Sequence, residues 1–132
     1  MNKICTDIAQ SNKLLELGID INTADMHYHM IFPDVFANKL PHFAIDAEIG
    51  KRNTSNDLPA WSLSALLGLM PFHIIENDVR YGFQMVKGLN KEGEIYKIRY
   101  EGYISLVETL IYNNPIDAAF EMVCWLKENN KI

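Results

Sequence analysis

Apolar positions recur along this chain with two different periods, and the changes of period mark out its elements. The clearest helical stretch is the last. Asn114 is a good N-cap, Pro115 suits the first helical position, and Asp117 stands three residues beyond the cap where a carboxylate suits the helix dipole. Ile116, Ala119, Phe120, Val123 and Leu126 then follow the spacing of a buried helical face, widened by Met122 and Trp125. Lys127 lies in the last turn, and Asn129 or Asn130 ends it. At the other end, Thr6 or Asp7 caps a helix running to about Leu17, with Ile8, Leu14, Leu15 and Leu17 on its apolar side and Gly18 as its stop. A middle helix is expected over residues 58–70, with Pro59 in its first turn, a stripe of Leu63, Leu66, Leu67 and Met70, and Pro71 blocking continuation. A short helix is expected from about Ile104 to Tyr112.

Between these stretches the period falls to two, the signature of strands. Met26, Tyr28, Met30 and Phe32 alternate with His27, His29 and Ile31 until Pro33. Phe43, Ile45, Ala47 and Ile49 alternate with Ala44, Asp46, Glu48 and Gly50. Lys51 to Asp57 reads as a polar, mobile loop. Val79, Tyr81, Phe83 and Met85 form one arm of a hairpin and Tyr96, Ile98 and Tyr100 the other, joined by the polar, glycine-bearing stretch from Lys87 to Gly93. The pattern predicts one α+β domain spanning residues 1–132, an antiparallel sheet of about four strands with helices packed on one face.

Composition narrows the classes. A chain of 132 residues with 48% hydrophobic residues is long and apolar enough to bury a core without disulfides or metals. Asp and Glu number 17 against 12 Lys and Arg, a net charge of −5, which argues against phosphate-backbone binding. The two cysteines, Cys5 and Cys124, form neither a CxxC pair nor a zinc-ligand pattern, and Cys124 reads as a small buried hydrophobe. The first residues carry no apolar signal-peptide core, and the longest nearly apolar run, Ala65 to Phe72, is too short for a bilayer. The expectation is a soluble cytoplasmic protein.

Several strings resemble a known group as a set. They are Cys5-Thr6-Asp7, Gln10-Ser11 and the run Leu14 to Gly18; Thr23 to Met26; Leu58-Pro59-Ala60-Trp61 through Leu67; and Asp117 to Leu126. They are similar to small uncharacterised proteins carried on the chromosomes, prophages and mobile elements of gut anaerobic bacteria. The match covers both ends and the middle helix, while the middle strands and the loop from Pro33 to Asp57 are not distinctive. The group brings no assigned activity and no catalytic residues. What the resemblance implies is a context in phage or mobile-element biology.

Candidate chemistry is sparse. On one strand, Asp25, His27 and His29 would share a face with neighbours roughly 6.5–7 Å apart, and an HxH pair with a carboxylate is a possible divalent-metal site, completed by His42 or Asp46. The plainer reading of those residues is a solvated sheet face. Ser62 and Ser64 lack a glycine elbow, Ser55 lacks a nearby base, and Cys124 has no histidine near in sequence. Glu76 with Asp78, and Asp46 with Glu48, are acid pairs of the kind common on surfaces. No phosphate-binding glycine loop occurs. Tyr81, Phe83, Tyr96, Tyr100 and Tyr103 gather around the hairpin, where aromatics serve either as core or as a protein-binding surface. The sequence favours a non-enzymatic interaction module that binds a protein partner or itself, with Tyr81, Phe83, Tyr96 and Tyr100 as its surface and no cofactor. Two other readings stand beside it, a metal-binding protein or metal-dependent enzyme centred on Asp25, His27 and His29, and an acidic inhibitor that mimics nucleic acid.

Overall fold

The computed structural model describes residues 3–34, 36, 39–51 and 54–132. Its α-helices among these are α1 (Ile8–Glu16), α2 (Leu63–Gly68) and α3 (Pro115–Glu128). The strands are β1 (Met26–Tyr28), β2 (Met30–Ile31), β3 (His42–Phe43), β4 (Glu48–Ile49), β5 (Leu58–Ala60), β6 (His73–Glu76), β7 (Val79–Asn90), β8 (Gly93–Glu101) and β9 (Ser105–Glu108). The fold is α+β. A four-stranded antiparallel meander, β6-β7-β8-β9, carries α3 against β8, while β4-β1-β5 and β2-β3 make two much smaller antiparallel sheets.

Local chemistry explains the helix ends. Asp7 Oδ1 accepts from Gln10 N at 2.7 Å and Gln10 Oε1 accepts from Asp7 N at 3.0 Å, a reciprocal capping box that starts α1. Gly18 follows the helix at φ +86°, and the N–H of Ile19 reaches back to Leu14 O at 3.0 Å. That left-handed residue satisfies carbonyls that the last turn leaves open. α3 ends in the same way, with Asn130 at φ +56° and Lys131 N donating to Leu126 O at 2.8 Å. Asn114 Oδ1 accepts from Asp117 N at its start.

One core joins α1, α2, α3 and the meander. Leu14, Trp61, Leu66, Ile98, Tyr100, Ala119, Met122, Val123 and Leu126 are completely buried within it. On α3 the buried face is Ile116, Ala118, Ala119, Met122, Val123 and Leu126, so Phe120 and Trp125 sit at its margins, half-buried. A second, smaller core of Cys5, Met26, Tyr28, Leu58 and Ala60 lies beneath the three-stranded sheet.

The structure corrects five expectations. The strand expected from Met26 to Phe32 breaks at His29, and its halves pair with different neighbours. The strand expected from Phe43 to Ile49 is likewise reduced to β3 and β4, with a bend at Ile45 and Asp46. The middle helix starts at Leu63 and not at Leu58, because Ser62 is the N-cap and Leu58–Ala60 is a buried strand. Pro59 is tolerated there because β5 is an edge strand. The helix expected near Ile104 is strand β9, which pairs with β8 across a bulge at Tyr100 and Glu101. The hairpin arms are longer than the pattern suggested, and most of the expected connection from Lys87 to Gly93 is itself strand, leaving Lys91 and Glu92 as the turn. β6 was not legible from period two. It is fixed by the turn Asn77-Asp78, both residues at positive φ (51° and 65°), as a two-residue hairpin requires. Of the loop expected over Lys51 to Asp57, residues 52 and 53 lie outside the described residues.

Candidate functional site

Asp25, His27 and His29 do share the short β1 region, but each is committed elsewhere. The Asp25 carboxylate accepts from the backbone N–H of Ser62 at 2.9 Å and from the Ser62 hydroxyl, which bolsters the start of α2. His27 is buried, with Nδ1 2.9 Å from the Gly50 carbonyl. A carbonyl only accepts, so Nδ1 carries the proton. Its Nε2 lies 3.4 Å from the Glu48 carboxylate without hydrogen-bond geometry, and is the one buried side-chain nitrogen or oxygen among the described residues that lacks a hydrogen-bond partner. His29 is half exposed and turns the other way, its Nδ1 3.1 Å from Asp57 Oδ1, which also accepts from Met30 N at 3.0 Å. The break in the strand after Tyr28 is what separates the two imidazoles. His42 Nδ1 lies 3.1 Å from the Leu40 carbonyl. Among the described residues no group of three His, Cys, Asp or Glu side chains is gathered closely enough to hold a metal ion.

The aromatic hairpin is largely core. Tyr100 is completely buried, meets Phe83 edge-to-face at 5.9 Å and donates its hydroxyl to Pro71 O at 2.7 Å. Burial pushes its phenol up to about 12. Tyr100 is therefore not surface, and this corrects its assignment as a contact residue. Tyr81, Phe83 and Tyr96 are half-buried and pack against the same core. Tyr96 bonds Glu94 at 2.6 Å, with the Lys87 ammonium 5.7 Å from its ring. Tyr103, by contrast, is fully exposed.

Neither thiol is activated. Burial raises both, Cys124 to about 11, and Cys5 Sγ lies 3.7 Å from the Tyr28 hydroxyl. Many acids are neutralised individually. Asp117 holds Lys3 at 2.7 Å, Glu94 faces Lys87 at 3.5 Å, Glu76 faces Lys131 at 3.6 Å, and Glu101 and Glu108 flank Arg99 on the outer face of the meander. Among the described residues no helix is long and apolar enough to cross a membrane.

What sequence reasoning missed is the surface of β2, β3 and β4. Ile45 and Ile49, on the apolar side of the strand expected over Phe43 to Ile49, stand in water at 94% and 89% exposure. Ile45 separates two hollows. One, of about 350 Å³, is lined by Lys3, Ile4, Cys5, Asp7, Tyr28, Asp46 and Ala47; the other, of about 440 Å³, is lined by Ile31, His42, Phe43, Ala44, Asp46, Ala47 and Glu48. Ile4, Ile31 and Phe32 add exposed apolar surface around them. The available signal was an alternating apolar segment bounded by Pro41 and Gly50. Compared with protein-family models, with curated proteins and with solved structures, the chain finds no match.

Proposed function

We propose that the protein is a non-enzymatic interaction module and that the face formed by β2, β3 and β4 makes its protein contact. The observation that carries this reading is Ile45, an aliphatic side chain almost wholly in water between two hollows of mixed apolar and charged lining. An isolated exposed isoleucine is ordinary, but here exposed Ile4 and Ile31 line the hollows on either side of it, and exposed apolar side chains grouped around concavities mark a contact site. The chemistry around it agrees. The histidines of β1 are held by backbone and carboxylate partners, the thiols are raised, and the hairpin aromatics belong mostly to the core.

The test is site-specific photo-cross-linking in the producing cell, with the photoreactive residue at position 45 and, for comparison, at position 89. Leu89 is also exposed but lies on the hairpin arm. A discrete protein adduct at 45 and none at 89 is the expected result. Adducts at 89 alone would move the contact to the hairpin, and adducts at neither would remove the interaction reading.

A further inference from the structure

We infer that the occupant of this face is a basic segment of another protein, one that brings apolar side chains to the hollows beside Ile45 and Lys or Arg to the carboxylates of Asp46 and Glu48. The inference rests on the reading of this face as a contact surface. It adds the chemistry of the partner.

Charge complementarity carries it. Asp46 stands in the walls of both hollows and Glu48 in the wall of one, and both residues are exposed. Among the described residues neither is paired with a lysine or an arginine. Glu48 approaches only His27 Nε2, at 3.4 Å and without hydrogen-bond geometry. Lys3, the one Lys or Arg in either lining, is already held by Asp117 at 2.7 Å and by Asp7 at 3.4 Å. The linings thus set the three carboxylates of Asp7, Asp46 and Glu48 against one committed ammonium. Acids on the meander differ, since Glu94 meets Lys87 there and Glu108 meets Lys97 and Arg99.

That balance sorts the candidate occupants. A second copy would bring the same surplus of carboxylates to the contact. An anionic bilayer surface and a nucleic acid are repelled for the same reason. A neutral apolar segment would crowd Asp46 and Glu48 out of water and offer them no counter-charge, which costs free energy. A segment with Lys or Arg beside its apolar residues supplies the counter-charge, and it is drawn in from a distance by a molecule whose net charge is −5. Because the strands here are only two residues long, backbone pairing contributes little, and side chains supply both affinity and selectivity.

Fluorescence polarisation of the full chain against three pools of short labelled peptides tests this. Every pool carries Leu, Ile and Phe at random positions. The remaining positions are Lys or Arg in the first pool, Asp or Glu in the second, and Ser or Gln in the third. The expected result is binding of the basic pool at least about tenfold tighter than of either other pool, weakening as salt rises. Ile45→Asp separates docking from mere attraction of opposite charges. It makes the protein more acidic, so attraction alone would strengthen, whereas loss of the central apolar contact should weaken the basic pool by about tenfold or more. Asp46→Lys should weaken it by about threefold or more and narrow its lead over the acidic pool, and Leu89→Asp should not weaken it. Thermal unfolding of each variant is measured alongside. Should Ile45→Asp melt below the wild type, Ile49→Asp replaces it, and Asp46→Asn likewise replaces Asp46→Lys. A basic pool that binds no tighter than the others, or whose binding survives Ile45→Asp undiminished, overturns the inference. So does a wild type that dimerises in sedimentation velocity through a contact that Ile45→Asp abolishes, since the occupant is then a second copy. In each of these cases a protein adduct at position 45 would leave the contact reading standing, while the lack of any adduct would remove both.

Discussion

Single side chains in this protein are tied down by partners far away in sequence. Thr6 and Ser11 share a buried hydroxyl bond of 2.8 Å, Thr6 Oγ1 also accepts from Trp61 N at 3.1 Å, and Trp61 Nε1 donates to Thr23 Oγ1 at 2.9 Å. Thr109 Oγ1 accepts from Ile98 N at 3.0 Å in the middle of the core. Thr109→Val keeps the shape but orphans that N–H, and should cost about 1–3 kcal/mol in chemical denaturation. Asp117 shows the same economy with charge. Burial pushes its carboxyl up, but hydrogen bonds from Lys3, Asn114 and Gln10 outweigh this, and the net result lies below the usual range. The unfolded chain then takes up the proton before the folded one does, so this contribution is present above the ordinary carboxylate range and is lost as pH falls through the folded value. Asp117→Asn should lower stability near neutrality and flatten the acid limb of a pH–stability profile; an unchanged limb would show that the Lys3 clamp is inert. Both thiols, raised by burial, should resist alkylation in the native protein and react only on unfolding. The candidate metal residues were legible as a set because strand period puts Asp25, His27 and His29 on one side. Their actual partners, Ser62, Gly50 and Asp57, lie between 23 and 37 residues onward, and no local pattern points to them.

Among the elements, those with strong local signals were readable. Asp7 with Gln10 and Gly18, and Asn114 with Pro115 and Asn130, fix α1 and α3 almost to the residue, because caps act within one turn. The alternation of Tyr81, Phe83 and Met85 with that of Tyr96, Ile98 and Tyr100 revealed β7 and β8, since both inner faces meet one core. The elements that failed are those set by tertiary pairing. β5 looks helical in sequence and is held as a strand by ladder bonds to β1, and β9 is short and becomes a strand only because β8 offers it an edge. Propensity is a weak prior against such pairing. The turn of the long hairpin gives an element-scale test. Gly93 closes it opposite Asn90 at φ +121°, a conformation that a side chain opposes. Gly93→Ala should destabilise by about 1–3 kcal/mol. A neutral outcome would mean that the turn relaxes and does not fix the register of β7 and β8.

At the scale of the whole molecule, two regions divide the work. The meander, α2 and α3 enclose the main core, and Leu126→Ala there should cost about 2–5 kcal/mol through lost burial and a cavity. The β2–β4 face has little core of its own and leaves Ile45 and Ile49 in water, so Ile45→Asp should change stability by no more than about 0.5 kcal/mol. This division was half legible. The apolar content of residues 26–49 announced burial, and it is satisfied for Met26 and Tyr28 by a small internal core. For Ile45 and Ile49 the surface that would bury them is not supplied by the described residues. Backbone hydrogen exchange, followed by mass spectrometry without and with the basic peptide pool, measures this face most directly, since amide protection reports local opening segment by segment. Expected is protection of residues 42–49 that rises with peptide while residues 84–90 on the open edge of β7 stay constant. Exchange at 42–49 that ignores the peptides would contradict a basic occupant for β2, β3 and β4, and protection that builds at 84–90 instead would contradict the placement of the contact on that face.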